Sequence, residues 1–323
     1  MEERPMMKAL VRDRFGGPAV LQVEEIERPP LEDDRVLVRV KASSINKAEW
    51  YGLTGRPLFA RPMMGLLRPR TRQIGTDFAG VVEAVGRDVE GYAVGDEVFG
   101  GRDGAYAEYV VAKTFAHKPA NVSFEEAGCM GIAGLTALQA VRDHGELRRG
   151  ERVLVNGASG GVGTMTVQIA KALGGQVTAV CSTRNVEQTR KLGADRVIDY
   201  TQEDFTRTGD RYDLVLDVAG SRPWRRLRRV LAPGARVVVI GAPSSPPIVG
   251  PLAHIVATKV ASLGKARFFV AKFRTEDLET LADLLESGAL KPAIDRTYAL
   301  DEAQDAMRRF GEGHISGKLV LTM

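Results

Sequence analysis

After residue 150, short apolar runs alternate with segments of helical pattern, and this alternation constrains the fold more than any other feature of the chain. The apolar runs are 152–158, 176–182, 197–199, 212–220 and 235–242, and helices are predicted near 161–173, 186–192 and 223–231. Strands that are apolar on both faces must be covered on both faces, which parallel strands joined by helices achieve. The pattern therefore predicts an α/β domain built on a parallel sheet.

The chain before residue 122 has a different pattern. From Met7 to Ala116, apolar residues alternate in short runs that Gly and Pro interrupt, which is typical of strands in a compact and mostly antiparallel barrel. Ser123 and Glu126 form a capping-box pattern, which predicts a helix from there to about Arg142.

The segment after about Thr275 predicts two helices (275–287 and 301–310), a short strand near Thr297 and a closing strand over 317–323. A single terminal strand cannot bury itself, so we expect it to return to the first domain. We therefore predict one domain made of 1–122 and 272–323, with the α/β domain (123–271) inserted into it.

Charge and cysteine content exclude several classes of protein. Lys and Arg exceed Asp and Glu by only 45 − 41 = 4, which is too little to indicate a nucleic-acid partner without a concentrated patch. Two cysteines cannot form a disulfide framework or a four-cysteine zinc site. The charged N-terminus and the lack of an 18-residue apolar run predict a cytoplasmic protein without stable membrane insertion.

A glycine-rich turn lies between the first apolar strand of the α/β domain and the helix that follows. Its A-x-G-x-x-G fingerprint consists of Ala158, Gly160 and Gly163. Glycines let the backbone pass close to a pyrophosphate, and the free amides at the start of a helix attract negative charge. The pattern predicts a dinucleotide site; the alternative is a purely structural turn.

The end of the next strand carries Ser182, Thr183 and Arg184. A site that reads the ribose hydroxyls of NAD carries Asp or Glu there. Hydroxyls and a guanidinium instead donate to a 2′-phosphate, which a carboxylate would repel. We therefore predict NADP(H) as the cofactor; the alternative is that Arg184 opens a helix and points to water.

Several ordered motifs carry a family resemblance. They are FAGVVEAVG (78–86) with VGDEVFG, GLTALQA (134–140), NGASGGVGT with VQIAKALG (156–174), LGADRVIDY (192–200) and the terminal GKLVL. The chain resembles, over nearly its whole length, the medium-chain dehydrogenase/reductase superfamily in its zinc-free quinone oxidoreductase (zeta-crystallin-like) branch. The resemblance implies a GroES-like β-barrel domain, a Rossmann domain with a doubly wound parallel sheet, an active cleft between them, and a homodimer.

The resemblance implies two candidate catalytic residues. Asn46 matches a position beside the nicotinamide or the acceptor, where a buried amide can orient a carboxamide or an acceptor oxygen. Tyr51 matches a tyrosine that lines the pocket of quinone reductases and can donate to a developing oxyanion; the alternative is a packed aromatic side chain at the barrel edge.

The resemblance also implies a set of cofactor-binding residues. It places Ser159, Gly160, Gly161 and Val162 at the pyrophosphate, Ser182, Thr183 and Arg184 at the 2′-phosphate, Tyr200 at the adenosine phosphate, Thr136, Phe269 and Val270 at the nicotinamide end, Ala219, Gly241 and Ala242 after later strands, and Lys318 near the C-terminus. Two alternatives stay open: Thr136 can bond its own helix backbone, and Lys318 can be a solvated surface lysine.

Members of the superfamily with catalytic zinc place a Cys where this chain has Asn46, and a His-Glu pair where it has Thr76 and Asp77. Cys129 falls near a third ligand position, but one thiolate cannot hold Zn²⁺, which needs three protein ligands. We therefore predict no metal. Without a Lewis acid, a quinone or an α,β-unsaturated carbonyl is favoured as acceptor, because it delocalises the charge that hydride addition creates.

The predicted function is NADPH-dependent hydride transfer to a small-molecule acceptor, a quinone or another conjugated carbonyl. The alternatives are an enoyl or enal C=C reductase, a zinc-free alcohol dehydrogenase, and an NADPH-binding protein with a structural or regulatory role. Residues 56–72, rich in Arg and apolar side chains, predict a lid over the acceptor, with attachment to a membrane surface as the alternative. A second basic run, 222–229, is predicted to be a solvated face, and no nucleic-acid partner is expected.

Overall fold

The computed structural model describes residues 5–58, 61–241 and 250–323. The chain forms two compact units. The first contains the residues up to Leu135 together with Phe273–Gly288 and Ile294–Met323, and the second contains Thr136–Lys272 and Ala289–Ala293. The first unit therefore extends beyond residue 122, where the change of sequence pattern placed the boundary.

The N-terminal part of the first unit consists of short strands and short helices. These are β1 (Met6–Val11), β2 (Gln22–Glu27), β3 (Val36–Ser44), α1 (Lys47–Thr54), α2 (Arg61–Met64), β4 (Asp77–Val85), β5 (Glu97–Gly101), β6 (Tyr109–Ala112), β7 (Phe115–His117) and α3 (Phe124–Ala127). Alternate residues of β3 (Val36, Val38 and Val40) point into a core that also contains Phe78 and Val82 of β4. This alternation is the reason that the segment forms strands with one buried face.

The second unit contains the elements with the longest apolar runs. They are α4 (Leu135–Gln139, which begins at the boundary), β8 (Arg152–Asn156), α5 (Gly161–Ala172), β9 (Gln176–Cys181), α6 (Val186–Lys191), β10 (Arg196–Asp199), β11 (Tyr212–Asp217), α7 (Trp224–Leu227), β12 (Leu231–Val239), α8 (Gly250–Ala261) and β13 (Ala266–Phe268). The six strands are all parallel, in the order β10-β9-β8-β11-β12-β13. The predicted parallel sheet is confirmed, and the strand order reverses between β8 and β11, where open α/β sheets bind ligands.

The C-terminal part consists of α9 (Thr275–Glu286), β14 (Ile294–Ala299), α10 (Ala303–Glu312) and β15 (Lys318–Thr322). The closing strand β15 lies antiparallel to β3, with Val320 opposite Ser44. It joins a seven-stranded sheet in the order β14-β15-β3-β4-β5-β7, with β6 paired to β3. A short link, 289–293, belongs to the second unit because Lys291 exchanges two hydrogen bonds with Gln168 of α5, at 2.9 and 3.0 Å.

The single helix predicted from Ser123 to about Arg142 is wrong. The capping box exists, since the Glu126 N–H donates to Ser123 Oγ at 3.2 Å, but α3 ends at Ala127. Wider π-helical turns at Met130–Gly134 and Ala140–His144 then flank α4. The cause is a tertiary contact: the Ile132 N–H donates to the Asp77 carboxylate at 2.6 Å, and a Cβ atom at Gly131 would lie 2.2 Å from that carboxylate.

The two basic runs occupy surface positions. In the run 56–72, Leu58, Met63, Leu66 and Leu67 are exposed, and part of the predicted lid (59–60) lies outside the described residues. In the second run, the arginines expose much of their side chains, as predicted. Four of them and Arg207 line a surface cavity of about 230 Å³; the four are Arg225, Arg226, Arg228 and Arg229.

The glycine turn yields a test of packing. A Cβ atom at Gly163 would lie 2.0 Å from the carbonyl oxygen of Gly157, so Gly163→Ala should lower the free energy of unfolding by roughly 1 to 3 kcal/mol. At Gly160 an added Cβ meets nothing within 4 Å, and Gly160→Ala should change stability by less than about 0.5 kcal/mol. Urea unfolding of both variants measures the difference, and equal stabilities would contradict this account of the turn.

Candidate active site

The glycine turn after β8 forms an open cradle at the start of α5. Gly157 has a φ of 90°, which favours glycine, and a Cβ atom there would lie 2.9 Å from the backbone nitrogen of Ala219. Gly160 precedes the helix and faces open space, because a Cβ atom added there would meet nothing within 4 Å. The first amides of α5 have no partner within the helix, so the residues present fit a bound phosphate group. We refer to residues 157–163 as the glycine cradle.

Two buried polar residues beneath the cradle were not identified from the sequence. Asn156, the last residue of β8, donates from Nδ2 to the Asp217 carboxylate at 2.7 Å and to Ser221 Oγ at 3.0 Å. The same Oδ1 of Asp217 accepts the Gly220 N–H at 2.9 Å. The carbonyl of Asn156 accepts the N–H groups of Val218 and Ala219. These bonds hold the carboxyl ends of β8 and β11 side by side. The sequence contains a signal for Asp217, because this acid ends the apolar run VLD.

Burial raises the pKa of Asp217 to about 6, against the opposing hydrogen bonds from Asn156 and Gly220. Its second oxygen, Oδ2, is buried without a hydrogen-bond partner. The charged form of this carboxyl is therefore the unfavourable one in the folded protein.

At the end of β9, three predicted cofactor-binding residues differ in whether their side chains already have partners within the protein. Arg184 is exposed and forms no ion pair with any described residue. The Thr183 hydroxyl instead donates to Asp199 Oδ2 at 2.6 Å, and Ser182 Oγ accepts from Asn185 at 3.1 Å. Asp199, which ends the neighbouring strand β10, is an acid that the sequence argument did not place here. Its carboxylate also accepts the N–H of Thr201 at 2.9 Å.

The structure brings the loops after β11 and β12 together with the cradle. Ala219 lies against Gly157, and a Cβ atom at Gly241 would lie 1.9 Å from the carbonyl oxygen of Val218. Ser159, Gly161 and Val162 are partly exposed at the cradle, and Tyr200 is exposed. Ala242 lies outside the described residues.

The residues assigned to the nicotinamide end are more dispersed. Thr136 is partly buried on α4, Val270 is exposed, and the ring of Phe269 stacks on His144 with 4.2 Å between ring centroids. Their contact with a cofactor stays a prediction.

In the first unit, a buried network surrounds the carboxylate of Asp77. Lys318, which is 3% exposed, donates from Nζ to Asn46 Oδ1 and to the carbonyl of Ile45 at 3.0 Å, and lies 3.8 Å from Asp77 Oδ2. Asn46 Nδ2 donates to the same Asp77 oxygen at 2.8 Å and to the Ser44 carbonyl at 3.3 Å. The alternative that Lys318 is a solvated surface lysine is wrong. We call Asn46, Asp77 and Lys318, with Ser44, the lysine network.

Further donors complete the hydrogen bonds of Asp77. Ser44 Oγ donates to Asp77 Oδ2 at 2.6 Å, and the Ile132 N–H donates to Oδ1 at 2.6 Å. Ser43 Oγ donates to the carbonyl of Asp77. A fully buried carboxylate is thus paired with one cation and several neutral donors, the condition under which a buried charge is tolerated.

Two side chains next to the lysine network, Glu49 and Cys129, have raised pKa values. Burial and the charge of Asp77 raise the pKa of Glu49 to about 7, and Lys318 opposes this rise. Burial raises the pKa of the Cys129 thiol to about 12, again against the charge of Lys318. Cys129 is therefore a neutral buried thiol, as expected for a small core residue.

These residues do not fit a zinc site. The amide of Asn46 has its oxygen and both donors engaged, the Cys129 thiol is protonated, and the ammonium of Lys318 would repel a second cation. Across the described residues, no group of three or more His, Cys, Asp or Glu side chains could hold a metal ion. Asn46 and Asp77, which the resemblance assigns to zinc-ligand positions, instead lie beside the ammonium group of Lys318.

Asn46 and Tyr51 are joined by α1. The Asn46 N–H donates to Glu49 Oε2 at 2.8 Å, and this contact caps the start of the helix. Tyr51 lies one turn later and is half-buried, with the Lys47 ammonium 5.7 Å from its ring centroid. Its place is therefore on a helix, and its role in the pocket stays a prediction beside the alternative of a packed aromatic side chain at the barrel edge.

The lysine network yields a test of stability. Lys318→Met leaves the buried Asp77 carboxylate without its cation and should lower the free energy of unfolding by about 3 to 5 kcal/mol. Lys113→Met removes the exposed ion pair with Asp34 and should lower stability far less than Lys318→Met does. Chemical denaturation at pH 7 compares the two variants; a similar small loss in both would show that Lys318 does not compensate Asp77.

Asp217 yields a test of pH dependence. Because its folded pKa of about 6 lies above the ordinary 3.8, its contribution to stability is complete below pH 4 and is lost as the pH rises through 6. Asp217→Asn keeps an oxygen for both donors, so its stability relative to the parent protein should rise by roughly 1 to 3 kcal/mol between pH 4 and pH 8.

The control for this test is Asp213→Asn on the same strand. Arg152 holds the pKa of Asp213 below its ordinary value of 3.8, so the contribution of the ionised group is nearly complete from pH 4 upward, and this variant should keep an almost constant stability relative to the parent protein between pH 4 and pH 8. Urea unfolding at several pH values measures both trends. Parallel trends in the two variants would contradict the assignment of the raised pKa to Asp217.

The comparisons with known families and proteins agree with this architecture. The profile of the alcohol dehydrogenase GroES-like domain matches residues 32–121, and a profile described as zinc-binding dehydrogenase matches residues 192–321. Among the described residues, no helix combines the length and the apolar content needed to cross a bilayer.

Similar proteins cover almost the whole chain. Quinone-oxidoreductase QR1 of Triphysaria versicolor, a chloroplastic protein, is 32% identical, and the match covers 98% of each chain. The chloroplastic NADPH-dependent alkenal/one oxidoreductase of Arabidopsis thaliana is 32% identical over 98% of this chain and 79% of its own. The quinone oxidoreductase structure from Coxiella burnetii is 30% identical, with a TM-score of 0.85 over 99% of this chain and all of that one. The chain therefore belongs to the medium-chain dehydrogenase/reductase superfamily, in its zinc-free quinone oxidoreductase branch, and its fold joins a GroES-like domain to a Rossmann-like parallel-sheet domain.

Proposed function

We propose that the protein is an NADPH-dependent reductase that transfers hydride to a quinone or another conjugated carbonyl without a metal. The observation that carries the proposal is the lysine network, because an internal ammonium group lies among the residues that align with zinc ligands. Without a Lewis acid, the acceptor itself must stabilise the negative charge that hydride addition creates. Quinones and enones do so by delocalisation, whereas simple ketones do not.

The glycine cradle and the end of β9 supply the proposed cofactor contacts. The cradle offers backbone amides to the pyrophosphate, and Arg184 offers an exposed guanidinium, unpaired among the described residues, to a 2′-phosphate. Thr183 and the Thr201 amide engage the nearby carboxylate of Asp199 and lower its pKa, so this acid stays charged and Arg184 must offset its repulsion of that phosphate. Reduced nicotinamide, when bound, supplies the hydride, and water supplies the proton that completes a two-electron reduction.

The lysine network modifies the role assigned to Asn46. Because its amide is fully engaged inside the first unit, Asn46 positions the start of α1 rather than presenting a free amide to the acceptor. Tyr51, on the same helix, keeps a hydroxyl that forms no hydrogen bond with the described residues. We propose that Tyr51 donates a hydrogen bond to the oxygen of the acceptor, while the proton comes from water.

The names of the relatives support both branches of the proposal. QR1 is described as a quinone oxidoreductase, and the Arabidopsis relative is described as acting on alkenals and alkenones. Reduction of a C=C bond is therefore the second candidate function. A homodimer and a cytoplasmic location stay predictions.

An acceptor panel tests the proposed reaction. Purified protein with NADPH should oxidise the cofactor in the presence of quinones or enones, and activity should persist after dialysis against a zinc chelator. Product analysis separates hydroquinones from saturated ketones. Oxidation of unactivated secondary alcohols, without turnover of either conjugated class, would overturn the proposal; tight NADPH binding without any turnover would indicate the binding-protein alternative.

Arg184 tests the choice of cofactor. Arg184→Asp replaces a phosphate donor with a repelling charge, so the ratio of kcat/KM for NADPH to that for NADH should fall by roughly 100-fold or more. Arg190→Asp makes the same change of charge at an exposed position on α6 and should leave the ratio within about threefold. Steady-state kinetics with both cofactors decide the matter, and an unchanged ratio in the Arg184 variant would refute the assignment.

A further inference from the structure

Arg12 is a buried arginine that the proposed reaction does not use. It follows β1 directly, and its backbone N–H donates to the carbonyl of Arg72 at 2.9 Å. The residue is only 7% exposed, and its Nε and Nη1 atoms are buried without a hydrogen-bond partner. Burial lowers the pKa of its guanidinium, as expected when a cation loses water and gains no anion.

The acids that lie close in this part of the unit pair with a different arginine. Asp13 and Glu24 both bind the Arg72 side chain, at 2.6 and 2.9 Å. No described carboxylate forms an ion pair with Arg12. A buried and uncompensated charge lowers the stability of the folded chain, and such groups concentrate where a ligand supplies the missing partner.

The guanidinium lies against α1, the helix that carries Tyr51. A Cβ atom added at Gly52 would lie 3.7 Å from Arg12 Nη2, and the Gly16 N–H donates to the carbonyl of Leu53 at 2.9 Å. The segment after β1 therefore packs along this helix. Because residue 52 is glycine, no side chain from that position covers Nη2.

We propose that Arg12 selects acceptors that carry a carboxylate. The inference rests on the proposed function, because it names the acceptor class at the helix to which Tyr51 is assigned. A carboxylate neutralises the guanidinium and accepts a charge-assisted hydrogen bond from Nη2, the nitrogen that Gly52 leaves uncovered. The preferred acceptor is then a conjugated carbonyl compound whose carboxylate lies away from the reacting atoms.

Matched acceptors test the proposal in kinetics. The probes are a 1,4-naphthoquinone with a propanoate side chain and its methyl ester, and 4-carboxycinnamaldehyde and its methyl ester. For the parent protein, kcat/KM should be roughly 10- to 100-fold higher for each acid than for its ester. Arg12→Met should abolish this preference while changing the ester rate less than about threefold. Arg12→Lys should retain part of it, and Arg14→Met, at an exposed position, should retain all of it.

Equilibrium dialysis of the same acids and esters gives a readout that does not need turnover. Tighter binding of the acid to the parent protein, lost in Arg12→Met, supports the proposal even if every acceptor in the kinetic panel fails. Equal affinity for acid and ester, or an acid preference that survives in Arg12→Met, overturns it whether or not the protein turns over quinones.

Thermal melting separates a ligand-binding arginine from a structural one. Removing an uncompensated buried charge should raise the Tm of ligand-free Arg12→Met above that of the parent protein. Addition of the naphthoquinone propanoate should raise the Tm of the parent protein but not that of the variant. A lowered Tm in ligand-free Arg12→Met would show that the charge is compensated within the fold and would contradict the premise of the proposal.

Discussion

The compensation of the buried Asp77 carboxylate by the Lys318 ammonium is the interaction on which the first unit most depends. Asp77 starts β4, Lys318 starts β15, and their oxygen and nitrogen atoms lie 3.8 Å apart with both side chains almost fully buried. A buried carboxylate is tolerated only if its charge and its hydrogen bonds are satisfied together. Four elements must therefore assemble at the same point: the end of β3, the cap of α1, the turn at Ile132 and the last strand. This requirement explains why distant parts of the chain share one unit.

The parallel-sheet unit solves a related problem with neutral donors. Asp217 is as deeply buried as Asp77, but its partners within hydrogen-bond distance are an amide side chain and a backbone N–H. Its pKa is raised to about 6 because these donors only partly offset burial. In return, the Asn156 and Asp217 contacts hold the ends of β8 and β11 together at the point where the strand order reverses. The open glycine cradle is built on that rigid edge, which is where a phosphate-binding backbone needs support.

Both units keep groups that the fold alone does not require. Gly160 faces open space, Arg184 has no ion pair among the described residues, and Arg12 is a cation without a described anion. Each is unfavourable or neutral for stability, and each lies beside an element to which a ligand is assigned. This distribution is expected when residues are retained for binding at some expense of stability.

The alternation of strands and helices and the position of the glycine-rich turn could be predicted from the sequence, because hydrophobic periodicity and glycine spacing are local properties. The parallel strands and the capping box at Ser123 both follow from neighbouring residues. The break in the helix after Ala127 could not be predicted in this way, since it results from a hydrogen bond between Ile132 and Asp77, 55 residues apart. Contact of Lys318 with Asn46 spans 272 residues, and only the tertiary structure turns a C-terminal lysine into the internal cation of the first unit. The sequence by itself determined most of the strands and helices and the position of the glycine-rich turn. The tertiary structure decided which charges are buried and how they are compensated, because compensation depends on distances between segments that are far apart in the chain.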